Sequence, residues 1–168
     1  DFCFNLHDQR TIYNVGGASK PARLSFLAPA MDPERSAAGN RLDAIKLVAA
    51  IEEGLADALR GCIGRYDDTF NPNCVGDRFQ QLGSRTVLFE AGHSPGDYQR
   101  EVSRSHVFDA LFIALESIAS GGYKTQTADT YFSIPENTTD FVDLLIYAPA
   151  ALSERYRGVE KLRIQYNE

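Results

Sequence analysis

At 168 residues, with 43% hydrophobic and 24% charged side chains, the chain has the size and composition of one globular domain, which argues against disorder and makes a second core unnecessary. The net charge of -6 comes without any run of Lys or Arg, so nucleic acid is not an expected partner, and no apolar stretch approaches the roughly 20 residues that span a bilayer. Cys3, Cys62 and Cys74 are odd in number and lack Cys-x-x-Cys spacing; they read as three small buried thiols rather than a disulfide framework or zinc knuckle, and lean towards a cytoplasmic compartment that nothing else in the chain specifies.

The chain opens at Asp1 without an initiating Met or a signal-peptide pattern and is inside a strand one residue later, which reads as a fragment of a longer protein. Residues 1–7 form that first strand. A polar loop with Gly16-Gly17 and Pro21 leads to a second strand, Arg23 to Ala28, closed by Pro29. After a loop over 29–38, the apolar positions Leu42, Ile45, Val48, Ala49, Leu55 and Leu59 keep helical spacing, so a helix is expected over 40–59 with Asn40 as N-cap. Its outer face, with Asp43, Lys46, Glu52 and Glu53, is a soluble surface. Residues 61–73, rich in Gly, Pro and Asn, read as an exposed loop in which Asp67-Asp68 is a solvated turn rather than a calcium site.

A short helix over 75–82, ended by Gly83, leads into Arg85 to Glu90, whose unbroken apolar centre Thr86-Val87-Leu88-Phe89 reads as a strand buried on both faces. A second long helix is expected over 97–120, with Val102, Val107, Phe108, Leu111, Phe112, Leu115 and Ile118 as a broad buried face. Beyond Gly121-Gly122 the texture changes. Ser133-Ile134-Pro135 is a turn, residues 141–147 are an apolar run compatible with helix or strand, and residues 162–166 alternate like an edge strand. Residues 122–168 are expected to form an appendage packed on the unit 1–121.

Two strand ends carry the chemistry. Glu90 closes the central strand, at the edge where open α/β sheets bind ligands, and His7 closes the first strand in the same way. An imidazole and a carboxylate at neighbouring strand ends suit a hydrolase in which the His binds zinc and the Glu takes a proton from water. Each also has an ordinary structural reading, the His as a hydrogen-bonded strand end and the Glu as a helix cap or an Arg partner.

The residues around them add to this. Phe4-Asn5-Leu6-His7-Asp8-Gln9-Arg10 and Val87-Leu88-Phe89-Glu90-Ala91-Gly92-His93 resemble two C-terminal signature segments of bacterial zinc carboxypeptidases of the carboxypeptidase A type. The resemblance covers residues 1 to about 120, the C-terminal half of such a catalytic domain. It implies an α/β fold with a mixed, mostly buried sheet flanked by helices, one zinc ion as cofactor and a peptide with a free C-terminus as substrate. It makes His7 the third zinc ligand and Glu90 the general base. Asn73-Cys74-Val75-Gly76-Asp77 is similar to the stretch that shapes the family's side-chain pocket, which Val75 would make apolar, and Tyr66 matches the family's mobile tyrosine that closes over substrate. The family's other two ligands form a His-x-x-Glu pair, and none occurs in this chain. The chain alone is therefore expected to be inactive, and to sit against the missing N-terminal half or a second copy.

Other assignments stay open at this point. His93, three residues after Glu90, offers a His7-Glu90-His93 ligand set, although two glycines and a proline in 91–96 favour a loop histidine that hydrogen-bonds near the site. Arg10 is placed to face the cleft and neutralise an anionic substrate group, or to pair with Asp8 or Glu90. His106 reads as surface or packing. Deacylases related to aspartoacylase share a strand-end His and a later Glu and act on N-acyl amino acids, and a non-catalytic binding module is the third reading.

Overall fold

The computed structural model describes residues 1–151 and 153–166, so the last two residues of the 122–168 segment and residue 152 lie outside it. Its centre is a four-stranded mixed sheet in the order β1 (Phe2–Asp8), β5 (Arg85–Ala91), β3 (Leu24–Leu27), β4 (Ile63–Arg65). β5 runs parallel to β1 and antiparallel to β3, and β3 is parallel to β4. The chain is thus an α/β protein with a mixed sheet.

Strand alternation divides the side chains of the sheet. Leu24, Phe26, Val87 and Phe89 point to one face and form the core with α1 (Gly39–Leu55) and the small residues Ala110 and Ala114 of α3 (Glu101–Ser120). The helices approach closely where a Cβ on Gly54 would lie 3.0 Å from Ile113 Cδ1. Residues 5, 7, 25, 88 and 90 alternate to the other face.

α1 starts earlier than expected and its N-cap is Ala38, without a side-chain bond. Asn40 instead donates to the carbonyls of Gln80 and Ser84 at 2.7 and 2.8 Å. It ties α1 to the turn between α2 (Val75–Gln81) and β5. The loop expected over 61–73 contains β4, with Ile63 to Arg65 buried, because Gly64 lets the sheet take another strand at its edge. A two-residue strand, β2 (Asn14–Val15), pairs with β6 (Asn137–Thr138).

The face of α3 departs most from expectation. Val107, Leu111 and Ile118 are half-buried against the core, whereas Val102, Phe108, Phe112 and Leu115 are exposed, Phe108 by 67%. The helix packs through its small residues and turns its aromatic stripe outward, with Phe108 and Phe112 stacked at 6.4 Å between centroids. It begins at Glu101, where both Asp97 carboxylate oxygens accept backbone N–H groups, from Val102 and Ser103. The cysteines also differ from three buried thiols. Cys62 is buried, Cys3 is half-buried and Cys74 is exposed.

The segment after Gly121 divides in two. A 3-10 turn at Gly122–Thr125 and α4 (Ala128–Ser133), capped by the Thr127 side chain, carry Tyr123 and Tyr131 into the core. Tyr131 is fully buried, and its hydroxyl accepts the backbone N–H of Ala28 at 3.2 Å. Truncating a fully buried aromatic leaves a large cavity, so Tyr131→Ala is expected to cost about 3–5 kcal/mol in urea unfolding; a loss under about 1 kcal/mol would show that the segment is not part of the core. β7 (Leu144–Tyr147) and β8 (Lys161–Ile164) pair antiparallel as a mostly exposed ribbon. The apolar run over 141–147 resolves as strand rather than helix. Among the described residues, no helix is long and apolar enough to cross a membrane.

Candidate active site

The parallel pairing of β1 and β5 brings two strand ends together, and its register sets His7 directly beside Glu90. On the far side of β5, Ser25 of β3 is the antiparallel partner of Glu90, and Gly64 of β4 is the partner of Ser25. One row across the sheet therefore reads His7, Glu90, Ser25, Gly64. A Cβ on Gly64 would lie 1.8 Å from Asn137 Oδ1, so only glycine admits that side chain over the row. Asn137 Nδ2 donates to Ser25 Oγ at 3.0 Å, and Ser25 Oγ donates to Gln9 Oε1 at 3.1 Å.

His7 and Glu90 open into a cavity of about 540 Å³ that Tyr66 and Val75 also line, together with Asp67, Asp68 and Asp77. The structure thus collects His7, Tyr66, Val75 and Glu90 in one place. Arg10 is not among the lining residues; its Nη2 donates to the carbonyl of Tyr166 at 3.1 Å. His93 is not there either. Its ring takes Arg100 Nη1 at 2.7 Å from Nε2, so a His7-Glu90-His93 set is not formed. His106 is half-buried on α3, and burial holds its imidazole below the usual range.

Glu90 is 8% exposed, and burial, followed by the nearby charge of Asp8, pushes its carboxyl up to about 7. No Lys or Arg lines the cavity to oppose this. The folded chain holds the Glu90 proton more tightly than the unfolded chain does. That stabilisation is complete below the ordinary value of 4.5 and is lost as pH rises through about 7. Glu90→Gln is therefore expected to match the parent in urea unfolding at pH 4 and to exceed it by about 3 kcal/mol at pH 8. Equal stability at both pH values would mean a well-solvated carboxylate.

The imidazole of His7 is exposed and within 3.0 Å of Asn5 Oδ1. It is the single ligand in this cavity that matches the expected zinc site. The described residues contain no group of three His, Cys, Asp or Glu side chains able to hold a metal ion. By itself His7 does not make a zinc site.

Tyr66 is the first residue beyond β4 rather than part of a free loop, with its N–H bonded to the carbonyl of Phe26 at 2.9 Å. Burial raises its pKa well above the usual phenol range, and its hydroxyl lies 2.9 Å from that of Tyr13. Val75 opens α2 and is 60% exposed at the cavity wall. It shares that wall with Asp77, a buried carboxyl that accepts the Asn71 N–H at 3.0 Å and that burial holds above the usual range. Carboxyl groups thus share this wall with Val75.

Two arginines that sequence reasoning passed over hold the site together. Arg41, fully buried on α1, donates from Nη2 to Asp68 Oδ2 at 2.6 Å, from Nε to the Ala28 carbonyl at 3.1 Å, and from Nη1 to the Arg35 carbonyl. Asp68 also takes Arg35 at 3.0 Å, so it is a buried anchor and not part of a solvated turn. Asp67 beside it keeps the turn role, accepting both the N–H and the hydroxyl of Thr69. The available signal was Arg41 itself, four and seven residues before Ile45 and Val48 on the same buried stripe. Arg100, in the left-handed region at φ 62, binds Asp8 Oδ1 at 2.6 Å and the carbonyls of Ala91 and Gly92 at 2.9 and 3.2 Å. It clamps the ends of β1 and β5 and so preserves the His7 and Glu90 register. Compared with family models, curated proteins and solved structures, the chain gives no match.

Proposed function

We propose that this chain is the C-terminal half of a zinc-carboxypeptidase-like catalytic domain that removes C-terminal residues from peptides, with Glu90 as general base. The observation that carries the reading is the register pair His7 and Glu90 at the ends of parallel strands, opening into one cavity with Tyr66 and Val75. A carboxyl near 7 suits proton transfer at neutral pH, since it can take a proton from the attacking water and return it to the leaving amine. His7 would be one ligand of a zinc ion in the complete domain, where the ion would polarise the scissile carbonyl. Tyr66 has a hydroxyl available for a substrate oxygen. The assay that tests the reading offers the full-length protein an N-acylated dipeptide and an N-acyl amino acid. Release of the dipeptide's C-terminal residue supports the carboxypeptidase, cleavage of the acyl amide alone supports a deacylase, and turnover of neither sinks both.

The surface beside the site supports a missing partner polypeptide. β1 ends the sheet, and among the described residues its outer edge has no backbone partner. Leu6, Phe108, Phe112 and Leu115 are exposed, with Leu6 and Phe108 lining a second, largely apolar cavity along the edge. Open edges with apolar surroundings associate. Residues 1–168 expressed alone are expected to self-associate in size-exclusion chromatography with light scattering, and Phe108→Asp with Phe112→Asp is expected to reduce that association. A monomer before substitution would contradict the reading of this face as covered in the complete protein.

A further inference from the structure

We propose that Tyr13 is a positioning residue for the candidate site, holding the Tyr66 hydroxyl so that its proton is directed into the cavity. The inference rests on the hydrolase reading of that cavity. The two hydroxyls are 2.9 Å apart, with ring centroids at 5.5 Å and planes tilted by 55°. Tyr66 lines the cavity and Tyr13 does not.

Both rings stand on fixed backbone. The Tyr13 carbonyl accepts Ala22 N–H at 3.1 Å, and the next residue, Asn14, is fully buried, pairs with Thr138 and binds Asp140. On the other side, Tyr66 N–H is held by Phe26, and Arg65 before it donates its N–H to Pro135 at 2.8 Å and its side chain to Glu136 at 2.6 Å. The pair therefore keeps its separation without a loop having to close.

Only one proton can lie between the two oxygens. If Tyr66 donated it, the Tyr66 oxygen would turn its lone pairs towards a cavity whose wall already carries Glu90 and Asp67. Those carboxylates, as acceptors, favour the opposite arrangement, in which Tyr13 donates to Tyr66 and the Tyr66 O–H faces the cavity. A substrate carbonyl or carboxylate oxygen bound beside Glu90 would meet a donor already aimed at it. Orientation fixed before binding is what separates a positioned donor from a free hydroxyl.

The test is a double-mutant cycle in the full-length protein, with Tyr13→Phe, Tyr66→Phe and the pair compared for kcat and KM on an N-acylated dipeptide ending in phenylalanine. ¹³Cζ-tyrosine spectra and melting temperatures are recorded alongside. Tyr66→Phe is expected to lower kcat/KM by about five- to tenfold, the weight of one neutral hydrogen bond, and Tyr13→Phe by a smaller factor at an unchanged melting temperature. The double variant should equal Tyr66→Phe within about twofold, because a residue acting through another has nothing left to add. Additive losses, or wild-type kinetics in Tyr13→Phe, overturn the role. Should the wild-type protein cleave no dipeptide, the hydrolase reading falls and the spectra decide: a Tyr66 resonance that shifts in Tyr13→Phe keeps the positioning, and one that does not move overturns it.

Discussion

Replacing Glu90 with Gln in the full-length protein is expected to lower peptide turnover by about 10²- to 10⁴-fold, the contribution of a general base, with little change in KM. The substitution keeps the volume and one acceptor of a side chain that is 8% exposed, so the fold should be undamaged and, above pH 7, more stable. That pairing of effects is diagnostic. A structural glutamate would lose stability and activity together, whereas a buried base exchanged for its neutral isostere gains stability as it loses turnover. The carboxyl near 7 also gives the reaction an acid limb. Turnover should fall as that group is protonated, and a bound cation beside Glu90 would move the limb to lower pH. Activity within tenfold of the parent would remove Glu90 from the chemistry.

The second large effect is structural. Asp68→Ala leaves Arg41 fully buried at the site of a 2.6 Å ion pair, with two carbonyls to hold it and its direct ion-pair partner gone. Stranding a buried charge in this way costs about 3–5 kcal/mol. For a domain of this size that is a large share of a total stability of roughly 5–15 kcal/mol. The loss should also reach the cavity, because Arg41 and Asp68 pin the 28–35 and 66–74 segments against each other. Replacing both at once, Arg41→Met with Asp68→Leu, should restore much of the stability, since an apolar pair of similar volume has no charge to strand. Urea unfolding of the single and double variants measures both statements. A single variant within about 1 kcal/mol of the parent would mean that water reaches Arg41.

The elements that run longest in one pattern were legible in the sequence. β5 announced itself because Thr86 to Phe89 has no polar break, and α1 and α3 because their apolar residues recur at helical spacing. The placing of His7 and Glu90 at strand ends followed from those strands, and their pairing needed only that β1 and β5 be parallel neighbours. β4 was hidden by its length, three residues around a glycine. Tyr131 was hidden because two adjacent aromatics, Tyr131 and Phe132, in the six residues Ala128–Ser133 carry no periodicity, although Thr127 ahead of them is a good cap. The outward stripe of α3 shows a different limit. Periodicity tells which residues share a face and says nothing of what covers it. Arg41 and Asp68 were missed because each charge, taken alone, belongs on a surface; burial became favourable only when the fold joined residues 27 positions apart.

If His7 and Glu90 are two parts of one zinc hydrolase site, as proposed, zinc binding depends on the imidazole and not on the carboxylate. The most direct measurement is zinc content by inductively coupled plasma mass spectrometry of the full-length protein, alone and as His7→Ala and Glu90→Gln, after dialysis against a weak chelator. Close to one zinc per chain is expected in the parent and in Glu90→Gln, and a large loss in His7→Ala. Zinc absent from the parent, or retained unchanged when His7 is removed, would contradict the proposal.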